Sequence, residues 1–181
     1  YLPSMSKLNQ KGRDISGVVL LDKVSGSSSN YVLQQVKRLF GANKAGHTGS
    51  LDPLASGLLP ICLGQATKVA QFLLDGDKRY FVRAKFGQVS STGDSEGKIV
   101  NFGSTKGIDE NSIRTILLKF VGDINQVPPM YSALKRNGTP LYKLARKGIE
   151  IERSSRPVTI HEINFLDFEE AVLSLEVFCS K

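Results

Sequence analysis

Residues 44–64 read KAGHTGSLDPLASGLLPICLG. Three glycines (Gly46, Gly49 and Gly57) crowd a segment that also holds His47, Thr48, Ser50 and one carboxylate, Asp52, ahead of an apolar run. Glycine lets a backbone approach a ligand closely and adopt positive φ. Pro53, directly after Asp52, disfavours the α region at the aspartate and so restricts how its side chain projects. A carboxylate on such a loop beside a buried strand suits nucleophilic or general-base chemistry. The same Asp-Pro pair serves equally well to start a turn. The residues alone leave both uses open.

Working outward, GVVLLDK at 17–23 reads as a buried strand. Ser27, Ser28 and Ser29 can cap a helix that runs to Phe40, with Tyr31, Val32, Val36 and Leu39 inward and Gly41 as its stop. Downstream, a strand over 58–63 leads into a helix over 65–74 with Ala66, Val69, Ala70 and Leu73 inward. Residues 78–88 alternate as a half-exposed strand, and 89–97 (VSSTGDSEG) form a polar loop. Asp109 caps a further helix with Ile113, Ile116, Leu117 and Phe120 inward, ended by Gly122. Pro128-Pro129 and Asn137-Gly138 mark turns, and 141–147 can make a short basic helix. In the last run Ala171, Leu173, Leu175, Val177 and Cys179 share one strand face. Short helices dispersed among such strands predict an α+β fold, with a mixed, mainly antiparallel sheet flanked by short helices. Residues 1–16 lack periodicity and read as a flexible lead-in, with Met5 a candidate native start; 17–181 read as one domain without a dividing linker.

With 40% apolar and 23% charged residues, the 181-residue chain has the composition of a globular protein. No apolar run approaches the roughly 20 residues a membrane helix needs, and no signal peptide is recognisable. Two cysteines, Cys62 and Cys179, and two histidines argue against a zinc site and suit a reducing cytosol. A net charge of +7 and a pI near 9.5 point to a polyanionic partner, with RNA, DNA and acidic lipid all fitting.

The motif GHTGSLDP at 46–53, continued by Ala55-Ser56-Gly57-Leu58-Leu59, resembles the catalytic motif of the TruB family of tRNA pseudouridine synthases. Other blocks match in order: GVVLLDKVSGSSSN at 17–30, QATKVAQFL at 65–73, DKRY at 77–80 and VPPMYSALK at 127–135. The loop TGDSEG at 92–97 and the LLPICLG strand look like the bacterial tRNA branch rather than the guide-RNA-dependent relatives. The resemblance implies a cytoplasmic isomerase that converts uridine to pseudouridine at position 55, in the T-loop of tRNA. Asp52 would be the nucleophile and Tyr80 would pack on the flipped base or help remove its carbon-5 proton. It further implies RNA contacts by His47, Thr48, Gly49 and Asp94. Lys68, Lys135, Lys143, Arg146 and Lys147 are candidate phosphate contacts. An isomerisation without redox change implies no cofactor, and no obligate protein partner is expected beside the tRNA T-arm.

The family pattern continues past residues 178–181 into a Gly-Thr-Tyr-Ile-Arg motif whose arginine pairs with the aspartate, and the chain stops before it. A domain incomplete at its C-terminal end and inactive alone is the expectation. Two rival readings share the fold: a non-catalytic RNA-binding or tRNA-folding module, and a guide-RNA-dependent synthase subunit.

Overall fold

The computed structural model describes residues 12–180. The chain forms two compact units, one ending at Gly76 and the other beginning at Asp77, although the sequence there shows no composition change that would announce a linker.

The first unit contains β1 (Gly17–Lys23), α1 (Ser29–Phe40), β2 (Ala45–His47), β3 (Gly57–Leu63) and α2 (Ala70–Leu74). Its sheet runs β1-β3-β2, both pairs antiparallel, with β3 central. The helix α1 begins where Ser28 Oγ accepts from Tyr31 N–H at 3.2 Å, and it ends at Gly41 in the left-handed conformation. Leu33 and Val36 pack on Leu59, Ile61 and Leu63 of β3, with Val19, Leu21 and Val32 partly buried around them.

Three expectations need correction here. β1 is buried on one face only, since Leu20 is 70% exposed and Val18 also faces solvent; the apolar run conceals an alternation. The inward face of α1 is Ser29, Leu33 and Val36, spaced i, i+4, i+7, whereas Tyr31 and Leu39 (83%) are exposed. The helix expected over 65–74 breaks at Val69 into a 3-10 turn (Gly64–Lys68) and the short α2, neither with a buried residue. The lead-in is also shorter than predicted. Arg13 pairs in parallel with Ala42, donating to Gly41 O at 2.5 Å and accepting from Asn43 at 3.2 Å, and Ile15 joins the core. Residues 1–11, with Met5, lie outside the described residues.

The second unit adds β4 (Lys78–Lys85), β5 (Gln88–Ser90), β6 (Ile99–Asn101), α3 (Glu110–Leu117), β7 (Gly122–Gln126), β8 (Lys135–Arg136), β9 (Thr139–Pro140), α4 (Leu141–Ala145), β10 (Arg156–Glu169) and β11 (Val172–Cys179). Its main sheet, β4-β11-β10-β7, is antiparallel throughout, and β5-β6 and β8-β9 are separate hairpins. Leu173, Leu175 and Ile113 form the core, with Ile163, Phe165, Val177 and Leu117 packed against them. Asp109 and Ser112 make a reciprocal cap on α3, and the Ser112 N–H holds the Asp109 carboxyl below its ordinary range. That helix stops at Leu117, earlier than expected, and Ile116 and Phe120 are exposed.

Among the described residues, none of the helices is long and apolar enough to cross a membrane. The α+β architecture stands; the strand pairs are antiparallel, and the one parallel bridge, Arg13 with Ala42, lies outside the sheets. One strand-face residue is corrected: Ala171 lies in the β10–β11 turn, not in the strand. Glu170 and Ala171 there have φ of 49° and 60° without being glycine. Left-handed backbone costs a residue with a Cβ about 1–2 kcal/mol, partly offset by glycine's larger entropy loss on folding. Ala171→Gly is therefore expected to stabilise the protein by about 0.5–1 kcal/mol, measured as a raised urea midpoint; a lowered midpoint contradicts the turn assignment.

Candidate active site

The antiparallel register pairs Lys23, the last residue of β1, with Gly57, the first of β3. The segment leaving β1 (24–28) and the segment entering β3 (48–56) must therefore emerge at the same end of the sheet. They are joined there by a set of hydrogen bonds. Gly26 N–H donates to Pro53 O at 2.8 Å, and Ser25 Oγ donates to Leu54 O at 2.9 Å. Ser29 Oγ donates to Leu51 O and accepts from Leu51 N–H, both at 2.9 Å. Lys23, 1% exposed, places its ammonium on Ser27 O (2.9 Å), Val24 O (3.1 Å) and Pro53 O (3.5 Å). Burying an ammonium is costly unless donors find acceptors, and three carbonyl dipoles supply them.

Asp52 sits within this lattice. Ala55 N–H donates to Asp52 O at 3.0 Å, closing a turn with Asp and Pro at its first two positions, as such turns favour. The turn reading and the chemical reading are thus compatible: the backbone makes the turn, and the carboxylate does not. Asp52 is exposed, and among the described residues its side chain makes no hydrogen bond or ion pair. Leu51, its neighbour, packs against the core.

Pro60 explains why the loop starts where it does. Thr48 N–H donates to Pro60 O at 3.1 Å, one residue past the last β2–β3 pair, His47 with Ile61. Proline has no N–H to return that bond, so the ladder ends and the chain turns away. Gly49 (φ 110°) and Gly57 (φ 129°) then take backbone angles that side chains resist; Gly46 does not need them. Thr48 is buried, so its side chain packs within the loop. His47 Nδ1 is buried and, among the described residues, unpartnered.

The remaining site residues divide between the units. Lys68 ends the 3-10 turn of the first unit and is exposed. Tyr80 lies on β4 opposite Val177, on the apolar face of the second unit's sheet and 39% exposed. Burial, with a smaller contribution from Cys179, pushes its phenol above the usual range. Asp94 organises its own loop, because its Oδ1 accepts from Thr92 Oγ1 and from Glu96 N–H (3.0 Å). Gly97 lets that loop close: a Cβ there would lie 2.3 Å from Thr92 Oγ1 and 2.7 Å from Thr92 N. Lys135, Lys143, Arg146 and Lys147 are exposed on the β8–β9 hairpin and around α4, with Arg146 5.5 Å from the Tyr142 ring. His161 pairs with Asp77 at 3.3 Å and lies 4.8 Å from the Phe178 ring. Among the described residues no three His, Cys, Asp or Glu side chains group together as a metal site would require. Lys23 and Ser29 were missed in the sequence; a charged residue ending an apolar strand and a third consecutive serine were the only signals.

A family model described as TruB family pseudouridylate synthase (N terminal domain) matches residues 37–181. The chain belongs to the TruB family. Among its TruB relatives, the tRNA pseudouridine synthase B of Actinobacillus pleuropneumoniae serotype 5b is 59% identical over 177 residues, covering 98% of this chain and 58% of that protein. The enzyme of the same name from Haemophilus influenzae Rd is 57% identical over 177 residues, covering 98% of this chain and 56% of that protein. The chain thus spans little more than half the length of these relatives. Among solved structures, a Cbf5-Nop10-Gar1 complex contains a chain that superposes with a TM-score of 0.67 at 28% identity, over 92% of this chain and 40% of that one. An H/ACA RNP bound to a substrate RNA containing 2'-deoxyuridine shares the fold, at a TM-score of 0.60 and 23% identity over 97% of this chain and 45% of that one.

Lys23→Met keeps the stem and removes the donors, taking the ammonium from the part-buried Val24 and Ser27 carbonyls and leaving Pro53 O with only the Gly26 N–H. The expected loss is about 1–3 kcal/mol, read from urea denaturation; an unchanged midpoint would show that the three carbonyl contacts contribute nothing.

Proposed function

We propose that the protein isomerises uridine to pseudouridine in the T-loop of tRNA, at position 55, with Asp52 as nucleophile and the uridine flipped out of its stack. The observation that carries this reading is the exposed, unengaged Asp52 carboxylate on a turn whose flanking backbone is tied down at Leu51, Pro53 and Leu54. Membership of the TruB family and the name shared by the relatives give the reaction class. The carboxylate attacks the nucleoside, the bond between C1′ and N1 breaks, and the uracil turns. A bond from C5 to C1′ then forms, the bond to the Asp52 carboxylate breaks to regenerate the free carboxylate, and the C5 proton leaves as N1 gains one. Extruding the base costs a few kcal/mol. Contacts from Lys68, Lys135, Lys143, Arg146 and Lys147 to phosphates offset that cost.

The direction of the Tyr80 shift favours one of its two roles. A phenol pushed above its usual range is neutral near pH 7 and is a poor acceptor for the C5 proton. Tyr80 therefore serves as a packing surface for the base, where aromatic contact contributes about 1–3 kcal/mol. His47 lies at the end of β2, where its unpartnered Nδ1 suits a hydrogen bond with the extruded nucleotide or its loop. The second oxygen of Asp94 suits the base edge. The reaction uses no cofactor, takes place in the cytoplasm and needs no protein partner.

Asp52→Asn keeps the size of the side chain and removes its reactive charge. In the protein at the full length of its relatives, isomerisation of a T-arm RNA, read by mass spectrometry, is expected to disappear while affinity for that RNA changes little. Near-normal turnover in this variant would sink the nucleophile assignment; loss of binding instead would favour a non-catalytic RNA-binding module.

Tyr80→Phe should lower turnover by less than about tenfold, against the 10²–10⁴-fold expected for loss of a proton-transfer group. For affinity, five phosphate contacts predict a log–log slope against salt of roughly −3.5 to −4.5. A nearly flat plot contradicts the proposed contacts.

A further inference from the structure

Within the reaction proposed above, on which this step rests, we infer that Ser29 is a positioning residue for Asp52. Its side chain is 2% exposed at the first turn of α1, yet it does not cap that helix. Capping belongs to Ser28, whose Oγ accepts from Tyr31 N–H. The Ser29 hydroxyl instead satisfies both backbone groups of Leu51, donating to the carbonyl and accepting from the N–H at 2.9 Å each. A hydroxyl is the smallest side-chain group that can do both at once. Leu51 needs this partner because the β2 ladder has ended at His47 and, among the described residues, no strand pairs with it. Its own side chain, partly buried, packs against the core cluster that includes Leu33 and Val36 of the same helix. Leu51 is thereby fixed through side chain, N–H and carbonyl, and its carbonyl belongs to the peptide unit that supplies the Asp52 N–H. Rotation of that peptide would swing the Asp52 Cα–Cβ bond, so the hydroxyl sets the direction in which the carboxylate points.

Adjacent serines thus divide the work, which makes Ser28 an internal control. Ser28→Ala should lower the thermal midpoint through loss of the cap and leave turnover near that of the unmodified protein. Ser29→Ala should give a thermal loss of similar size, a fall in kcat on the order of 10²-fold through misplacement of the carboxylate, and KM for T-arm RNA close to the unmodified value. Amide hydrogen exchange at Leu51 should accelerate in Ser29→Ala and not in Ser28→Ala. A kcat loss no larger than that of Ser28→Ala, or unchanged exchange at Leu51, overturns the positioning role. If Ser29→Ala does not fold, Ser29→Cys, which keeps the volume with a weaker donor and acceptor, is read by the same criteria. Absence of isomerisation in the unmodified protein at the full length of its relatives, with exchange at Leu51 still accelerated by Ser29→Ala, overturns the reaction and with it the positioning role. Activity with an unaltered Leu51 overturns the role of Ser29 alone.

Discussion

Seven residues of β1 pair with seven of β3, from Gly17 against Leu63 to Lys23 against Gly57. This ladder is the constraint on which the candidate site depends. An antiparallel pair puts the exit of one strand beside the entrance of the other, so two segments remote in sequence leave the same end of the sheet. Ser25 and Leu54, or Ser29 and Leu51, then meet without a dedicated folding element. A one-residue slip in register would put Leu59 and Ile61, now buried, on the solvent face, and would separate Lys23 from the Pro53 carbonyl. Burial of the β3 side chains and geometry of the site are therefore enforced by the same pairing.

Much of this was legible in the chain. The strands at 17–23 and 57–63, the serine cap, the Gly41 stop and the alternation ending at Cys179 follow from local chemistry that tertiary context did not override. The faces were harder. GVVLLDK carries apolar residues on both sides, so its pattern cannot report that Val18 and Leu20 face outward. In α1, Leu33 rather than Leu39 is inward because Ser29, Leu33 and Val36 line one face and Leu39 projects from another side of the helix. The break at Val69 follows no proline or glycine, and no single residue announces it.

The site was legible as a motif and not as a mechanism of support. GHTGSLDP identifies the aspartate and its proline. What holds them comes from residues 23–29, where a lysine after an apolar strand reads as a charged strand end and a serine run reads as a cap. Only the ladder turns Lys23 inward onto carbonyls of two segments. Pro60 is the opposite case. A proline in a central strand argues against that strand, yet here it lies where β2 has stopped pairing, and its missing N–H releases the loop.

Three aspartates of the chain show how environment separates their uses. Asp109 is committed to a helix cap: its Oδ1 accepts from the Ser112 N–H, and that contact lowers its pKa. Asp94 is half committed, with Oδ1 shared between Thr92 and Glu96 inside its own loop. At Asp52 every hydrogen bond that fixes the loop engages backbone of residues 51, 53 and 54 or the Asp52 carbonyl, and the donors come largely from side chains of the neighbouring segment. An aspartate anchored through its own oxygens would surrender the lone pairs that attack requires. Placing the anchors on either side of it leaves the carboxylate exposed and unengaged while its backbone is held, which is the arrangement the proposed nucleophile requires.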